Sequence, residues 1–462
     1  MALTRRTLVQ AGIGAPLLAA CAHRPTPHPA RHVRVEAPFD MPGITVPDFA
    51  ASRHFPITDF GALPDNQART SAAIARAIDA AHAAGSGVVV VPPGMWLTGK
   101  IHLKSNVNLH LARGATLLFS STPADYLPAV PTSWEGIECY NYSPLVYAYD
   151  CENVAITGEG RLKARLDVWQ LWYARPKPHL DALIALNAMA VKGVPVVERQ
   201  MAYAGADLRP HFVQFNRCRN VLVEDISIDD SPFWVLHPLM CRDVVIRRVK
   251  VRAHGHNNDG VDPEMSENVL IEDCVFDQGD DAIAIKAGRD QDAWRIGVPC
   301  RNIVMRRCRI RNGHQLAAIG SELSAGIENV FIDDCHFERG EVAAKTALMN
   351  LLFVKTNERR GGFVRNIFMS NITATRIAGA ALSVETDVLY QWRHLVPTYE
   401  RRLTAIRNLN VRNVAVDEAR SLCAISGAAG MPVRKVSLRN VRAGKLLGAP
   451  VTNSNVEGFS IA

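Results

Sequence analysis

The sequence predicts an all-β chain wound as a right-handed parallel β-helix, a solenoid of stacked coils behind a short amino-terminal helix. Three observations carry that prediction. Short, β-branched segments follow one another with nothing of crossover-helix length between them; an asparagine recurs at their start; and hairpin signals are scarce. The repeat reads Asn106-Val107, Asn153-Val154, Asn220-Val221, Asn268-Val269, Asn302-Ile303, Asn329-Val330, Asn366-Ile367 and Asn413-Val414. Asparagine tolerates the left-handed backbone of a tight turn, and its side chain can bond to the asparagine one coil away. A single coil cannot bury its apolar face, so stacking makes the core.

In chain order, residues 1–20 read as an export signal. Arg5-Arg6 precedes an apolar stretch from Ala11 to Ala20, a twin-arginine pattern too short for an ordinary spanning helix. Leu18-Ala19-Ala20-Cys21 resembles a lipoprotein cleavage site, which makes Cys21 the expected lipidation site and the periplasmic side of a bacterial membrane the expected address. Residues 21–54, rich in Pro and His, read as a tether. Thr70 to Ala81 predicts the helix: it is Ala-rich, sets Ile74 and Ile78 on one face, and stops at Gly85-Ser86-Gly87. Its expected role is a cap over the open end of the solenoid, whose edges would otherwise pair with other chains. Residues 55–462 form the coils, broken by an insertion at about 164–206 placed to wall off part of a cleft. Cys274, Cys308 and Cys335 each lie six residues after a repeat asparagine, the spacing of a stacked thiol ladder rather than of a disulfide framework.

The formal charge is +7, and losing Arg5 and Arg6 with the signal leaves 7 − 2 = +5. Lys and Arg are scattered, with no basic run and no zinc-finger spacing, which argues against a nucleic-acid partner. A mildly basic surface suits a polyanionic polymer.

Residues 257–264 read Asn-Asn-Asp-Gly-Val-Asp-Pro-Glu, and 279–286 read Gly-Asp-Asp-Ala-Ile-Ala-Ile-Lys. Side chains alternate along a strand, so adjacent Asp280 and Asp281 in an apolar pattern break the usual rule unless the backbone bends there. Asp259 precedes the pair by 21 to 22 residues, roughly one coil in this region. Stacking brings such positions to about one strand spacing, roughly 4.7–4.9 Å. Three carboxyls that close raise at least one pKa and leave an acid beside bases, the division of labour glycoside hydrolysis needs. His254 and His256 flank this motif without a matching carboxylate set, so no metal is expected, and nothing calls for a cofactor.

Asn257-Asn258-Asp259-Gly260, Gly279-Asp280-Asp281, Gly313-His314 and Lys355-Thr356-Asn357 follow the order and spacing of glycoside hydrolase family 28, the polygalacturonase family. Ile57-Thr58-Asp59-Phe60-Gly61-Ala62, Arg209-Pro210, Ser231-Pro232-Phe233-Trp234 and Ile319-Gly320-Ser321-Glu322 resemble further landmarks of it. The likeness runs from about residue 55 to 440 and is closest to bacterial, exo-acting members. It implies an inverting hydrolase of pectic polysaccharides or oligosaccharides. Asp280 would be the general acid, Asp259 and Asp281 would activate water, and His314 would support the acid. Lys355 would hold a substrate carboxylate and Asn257 would orient the site. Gln315 stands where the family has a glycine after the histidine. Phe353 stands where it has an arginine; it could stack on a sugar, with Arg359 or Arg360 supplying the missing charge, and Tyr390 is the nearest candidate for a further family tyrosine.

The alternatives are a hydrolase of rhamnogalacturonan or substituted pectin, a calcium-dependent pectate lyase and a non-catalytic carbohydrate-binding solenoid. The paired aspartates with His314 favour hydrolysis over the last two.

Overall fold

A computed structural model describes residues 28–338 and 348–462. The export signal and the lipidation site at Cys21 lie outside the described residues. The chain is a right-handed parallel β-helix whose coils contribute strands to three stacked parallel sheets. The first sheet climbs from His54–Pro56 to Val456–Ile461, and the second starts at Gly94–Thr98. The third passes through Leu236–Leu239, single bridges at Val261 and Glu264, then Ile283–Ile285, Gln315–Gly320, Asn350–Lys355 and Ala380–Glu385. Inward side chains such as Val244, Val269, Ile303, Val330 and Ile367 lie in register from coil to coil and are buried to within 1% of their surface.

The asparagine pattern becomes a side-chain ladder. Asn268 Nδ2 donates to Asp243, Asn302 to Asn268, Asn329 to Asn302 and Asn366 to Asn329, all at 2.9–3.0 Å. Each rung has positive φ, from 57° to 59°, a conformation asparagine adopts at little cost. Asn408 continues this ladder, whereas Asn413 belongs to a second one between Asn371 and Asn440. All nine described cysteines are free and buried. Cys274, Cys308 and Cys335 follow strand positions that are themselves in register, so their thiols stack.

Helix α1 spans Gln67–Ala83, a few residues beyond the predicted Thr70 to Ala81. Asn66 caps it by accepting from the Arg69 N–H at 3.0 Å, and Ala73, Ile74, Ala77, Ile78 and Ala81 are buried beneath it. Gly87 permits that closure, because a Cβ there would meet Ala81 and Phe55 at 2.6 Å.

The expected tether differs from what is found. Residues 30–33 and 44–47 form an antiparallel pair that lies on the outer face of the first sheet. Val35, Ile44, Val46 and Phe49 pack on an outward apolar row formed by Val88, Ala155, Leu222, Val245, Leu270, Val304 and Phe331. Past Phe368, which meets Phe39, the row turns polar at Asn410 and Ser437. A Pro- and His-rich composition suggests flexibility, but these few apolar side chains match an apolar stripe that would otherwise face water.

Residues after Ala164 leave the coils. They form a 3-10 turn at Trp169–Ala174 and helix α2 at Lys177–Val191. Ala182, Leu183 and Leu186 of α2 share a second apolar cluster with Trp134, Phe233, Trp234 and Trp392. The fully buried Arg199–Asp292 ion pair, 2.9 Å, ties this layer to the coils.

Candidate active site

Asp259, Asp280 and Asp281 meet in one groove. Two turns enter the third sheet there, and both depend on glycine: a Cβ on Gly260 would meet the Ala282 carbonyl at 2.5 Å, and one on Gly279 the Gly255 carbonyl at 2.5 Å. Successive coils then set Asp259 beside Asp281, and Asp259 Oδ1 accepts from the Asp281 N–H at 3.0 Å. Asp280 turns to the next coil, where His314 Nδ1 lies 3.1 Å from its Oδ1. Lys355 Nζ stands 3.1 Å from Asp281 Oδ2, while Asp281 Oδ1 is buried with no partner among the described residues. The groove, about 330 Å³, is also lined by Asn257, His256, Arg175, Glu135, Trp234, Lys286, Glu322, Tyr390 and Trp392.

Environment separates the three carboxyls. Burial, reinforced by the charge on Asp280, pushes Asp259 up to about 8. Burial also raises Asp281, although Lys355 opposes it. Burial alone would raise Asp280 as well, but the hydrogen bond and charge of His314 outweigh it and hold Asp280 at about 2. The same hydrogen bond lifts His314 to about 9. Free of substrate, the couple is therefore an imidazolium–carboxylate pair holding one proton, and burial biases Asp259 toward its neutral form. That distribution departs from the resemblance, which implies a protonated Asp280 and an ionised Asp259. The spacing departs too. Asp280, Asp281 and His314 each offer an atom within 4.8 Å of the others, tighter than the roughly 6.5–9.5 Å between the carboxyls of most inverting pairs.

Asp280, Asp281 and His314 are also the one group with metal-ligand spacing among the described residues. Lys355 already sets its ammonium against Asp281, and His314 holds a proton where a ligand needs a lone pair. His256 Nε2 faces Arg175 Nη2 at 2.7 Å, and His254 pairs with Asp277 at 3.0 Å.

Sequence reasoning missed Lys286. It is 4% exposed, and its Nζ lies 4.0 Å from Asp259, 3.7 Å from Asp262 and 3.4 Å from Glu322. Arg289 extends the chain of charge from Glu322, 2.8 Å, to Glu135, 2.9 Å. A lysine closing the apolar run Ala282-Ile283-Ala284-Ile285 was the available signal. Glu135 sits at the turn of an antiparallel hairpin, Val130–Trp134 with Ile137–Asn141, where Glu135-Gly136 was the signal.

Two expectations fail. Phe353 is only 6% exposed, with Lys355 Nζ 5.8 Å from its ring centre, so it offers no open face to a sugar. Arg359 is buried away from the groove, bound to Thr398 Oγ1 at 3.0 Å and the Trp392 carbonyl at 3.2 Å. Arg360 is committed to Asp290 at 2.6 Å and the Ser321 carbonyl at 2.7 Å. Tyr390, 62% exposed, does line the groove, and Asn257, at φ 58°, presents its Oδ1 to Arg209 at 2.9 Å.

Residues 199–456 match the family model described as glycosyl hydrolases family 28. The chain is 36% identical to a hyperthermoactive exopolygalacturonase of Thermotoga maritima, covering 92% of this chain and 93% of that one with a TM-score of 0.80. It is 25% identical to a probable polygalacturonase of Vitis vinifera over 87% of this chain and 77% of the relative. It is 27% identical to an exo-poly-alpha-D-galacturonosidase of Dickeya chrysanthemi over 75% of this chain and 59% of that protein's length. The chain belongs to glycosyl hydrolases family 28 and is a glycoside hydrolase.

Proposed function

We propose that this enzyme hydrolyses the α-linked galacturonic-acid backbone of pectin, acting on oligosaccharides from a chain end and inverting the anomeric centre. The observation that carries the reading is the Asp280–His314 couple facing Asp281 across one groove, with Lys355 among them. A sugar filling the groove strips water from the couple, and desolvation favours the neutral form of both partners. The proton then passes from His314 along the 3.1 Å hydrogen bond, arming Asp280. As the glycosidic C–O bond breaks, the leaving oxygen takes that proton. The attacking water bonds to the anomeric carbon and gives its proton to Asp281, whose Oδ1 has no partner among the described residues. Asp259 supports this step by accepting from the Asp281 amide. A second reading, favoured by its pKa of about 8, makes Asp259 the proton donor.

Exo action is supported by the insertion and the Glu135 hairpin, each of which sends a side chain from outside the coils into the groove. It is also supported by the exo activity in the names of the Dickeya and Thermotoga proteins. Export through the twin-arginine route and lipidation at Cys21 complete the proposal, resting on the sequence alone; the mass of the mature amino terminus tests them.

The experiment is product analysis on defined oligogalacturonides, with the anomer followed by NMR. The expected result is saturated monomer released from chain ends, insensitive to chelator, first appearing as the β-anomer. Ultraviolet-absorbing, calcium-dependent products would make it a lyase, and binding without reducing-sugar release would make it a binding protein.

A further inference from the structure

We infer that Arg175, between the 3-10 turn and helix α2 of the insertion, binds a carboxylate of the bound uronide. The inference rests on the galacturonide reading above and assigns a specificity-determining residue to it.

The other cations of the groove are already committed. Lys286 faces Asp259, Asp262 and Glu322, and Lys355 faces Asp281. Arg359 and Arg360 are bound elsewhere. Arg175 has no acidic partner among the described residues. Its two hydrogen bonds both leave from Nη2, to His256 Nε2 at 2.7 Å and Asn257 Oδ1 at 3.4 Å. His256 is held neutral because burial, with Arg175 and Arg209 beside it, lowers it to about 4, so it accepts this bond. Nε and Nη1 make no hydrogen bond among the described residues, so each edge of the guanidinium, Nε–Nη2 and Nη1–Nη2, keeps one free donor, and a carboxylate that displaces the long contact to Asn257 is held on two.

The guanidinium is also fixed before ligand arrives. Arg175 ends the 3-10 turn at φ 50° and is followed by Pro176, while Trp169 of the same turn is fully buried against Tyr126 and Trp172. Tyr173 lies over the Arg209 guanidinium at 4.6 Å. Arg175 and Asp259 line the same groove, so a carboxylate on this edge lies in the groove that holds the reacting bond.

The test is calorimetric binding of trigalacturonate and of its methyl ester to the Asp280→Asn protein, with and without Arg175→Gln, alongside wild-type turnover of trigalacturonate. The expected result is a loss of about tenfold or more in affinity for the acid and less than about twofold for the ester. Arg175→Lys, which keeps charge without the fork and guards against a folding defect, should lose affinity for the acid alone and by less. Equal losses on both ligands, or none, in proteins with unchanged thermal melts would overturn the role of Arg175 while wild-type turnover leaves the substrate reading standing. A wild-type enzyme inert on trigalacturonate, with neither ligand bound, would overturn both.

Discussion

Asp259 is held at about 8 by burial, and an acid whose folded pKa lies above its unfolded value costs stability. The unfolded chain releases that proton near pH 4 and the folded chain only near 8, so stability is lost as pH rises through that window. Asp259→Asn should therefore raise the melting temperature at pH 7 by a few degrees, roughly 1–3 kcal/mol, while its Oδ1 still accepts from the Asp281 amide. The gain should vanish below pH 4 in a comparison of melts against pH. His314 behaves differently. Its pKa is raised by Asp280 to about 9, so the couple's proton and its stabilisation are full below the unfolded value near 6.5 and lost through pH 9. The alkaline limb of kcat/KM should fall there. His314→Asn should lower kcat by about 10²–10³-fold and remove that limb.

At the scale of elements, coil turns and the amino-terminal arm make separable contributions. Asn302 has φ 59°, donates to Asn268 and accepts from Asn329 at 3.0 Å. Asn302→Ala combines a left-handed alanine with two lost hydrogen bonds and should cost about 2–4 kcal/mol, read by denaturant titration. Ile44, fully buried, holds the arm to the first sheet, whereas the groove lies on the third. Ile44→Ala should expose the arm to protease and cost about 2–4 kcal/mol while kcat stays unchanged. The coils were legible because their period is written in the positions of asparagine and β-branched residues. The arm was not, because four spaced apolar residues in a Pro- and His-rich segment reveal their purpose only beside the stripe they cover.

Across the whole molecule, the residues that meet as their spacing implied are those that the coil repeat itself positions. Adjacent Asp280 and Asp281 break strand alternation, and Asp259 precedes them by about a coil, so stacking alone brings them together. Arg359 and Phe353 misled because nearness to Lys355 in sequence does not say which side chain faces open groove. Arg175, Glu135 and Trp392 come from segments outside the coils, where no period exists to place them. The pKa order of the acids was equally hidden, since it follows from burial and from which cation each carboxyl meets. In the proposed mechanism Asp280 delivers the proton to the leaving oxygen, a role that the dependence of rate on the leaving group reports. An aryl galacturonide with a good leaving group needs no protonation. Asp280→Asn should lose about 10²–10⁴-fold on trigalacturonate yet keep most of its rate on the aryl substrate. Asp281→Asn should lose both. An Asp259→Asn protein that spares the aryl substrate, beside an Asp280→Asn protein that does not, would contradict the assignment and transfer the acid to Asp259.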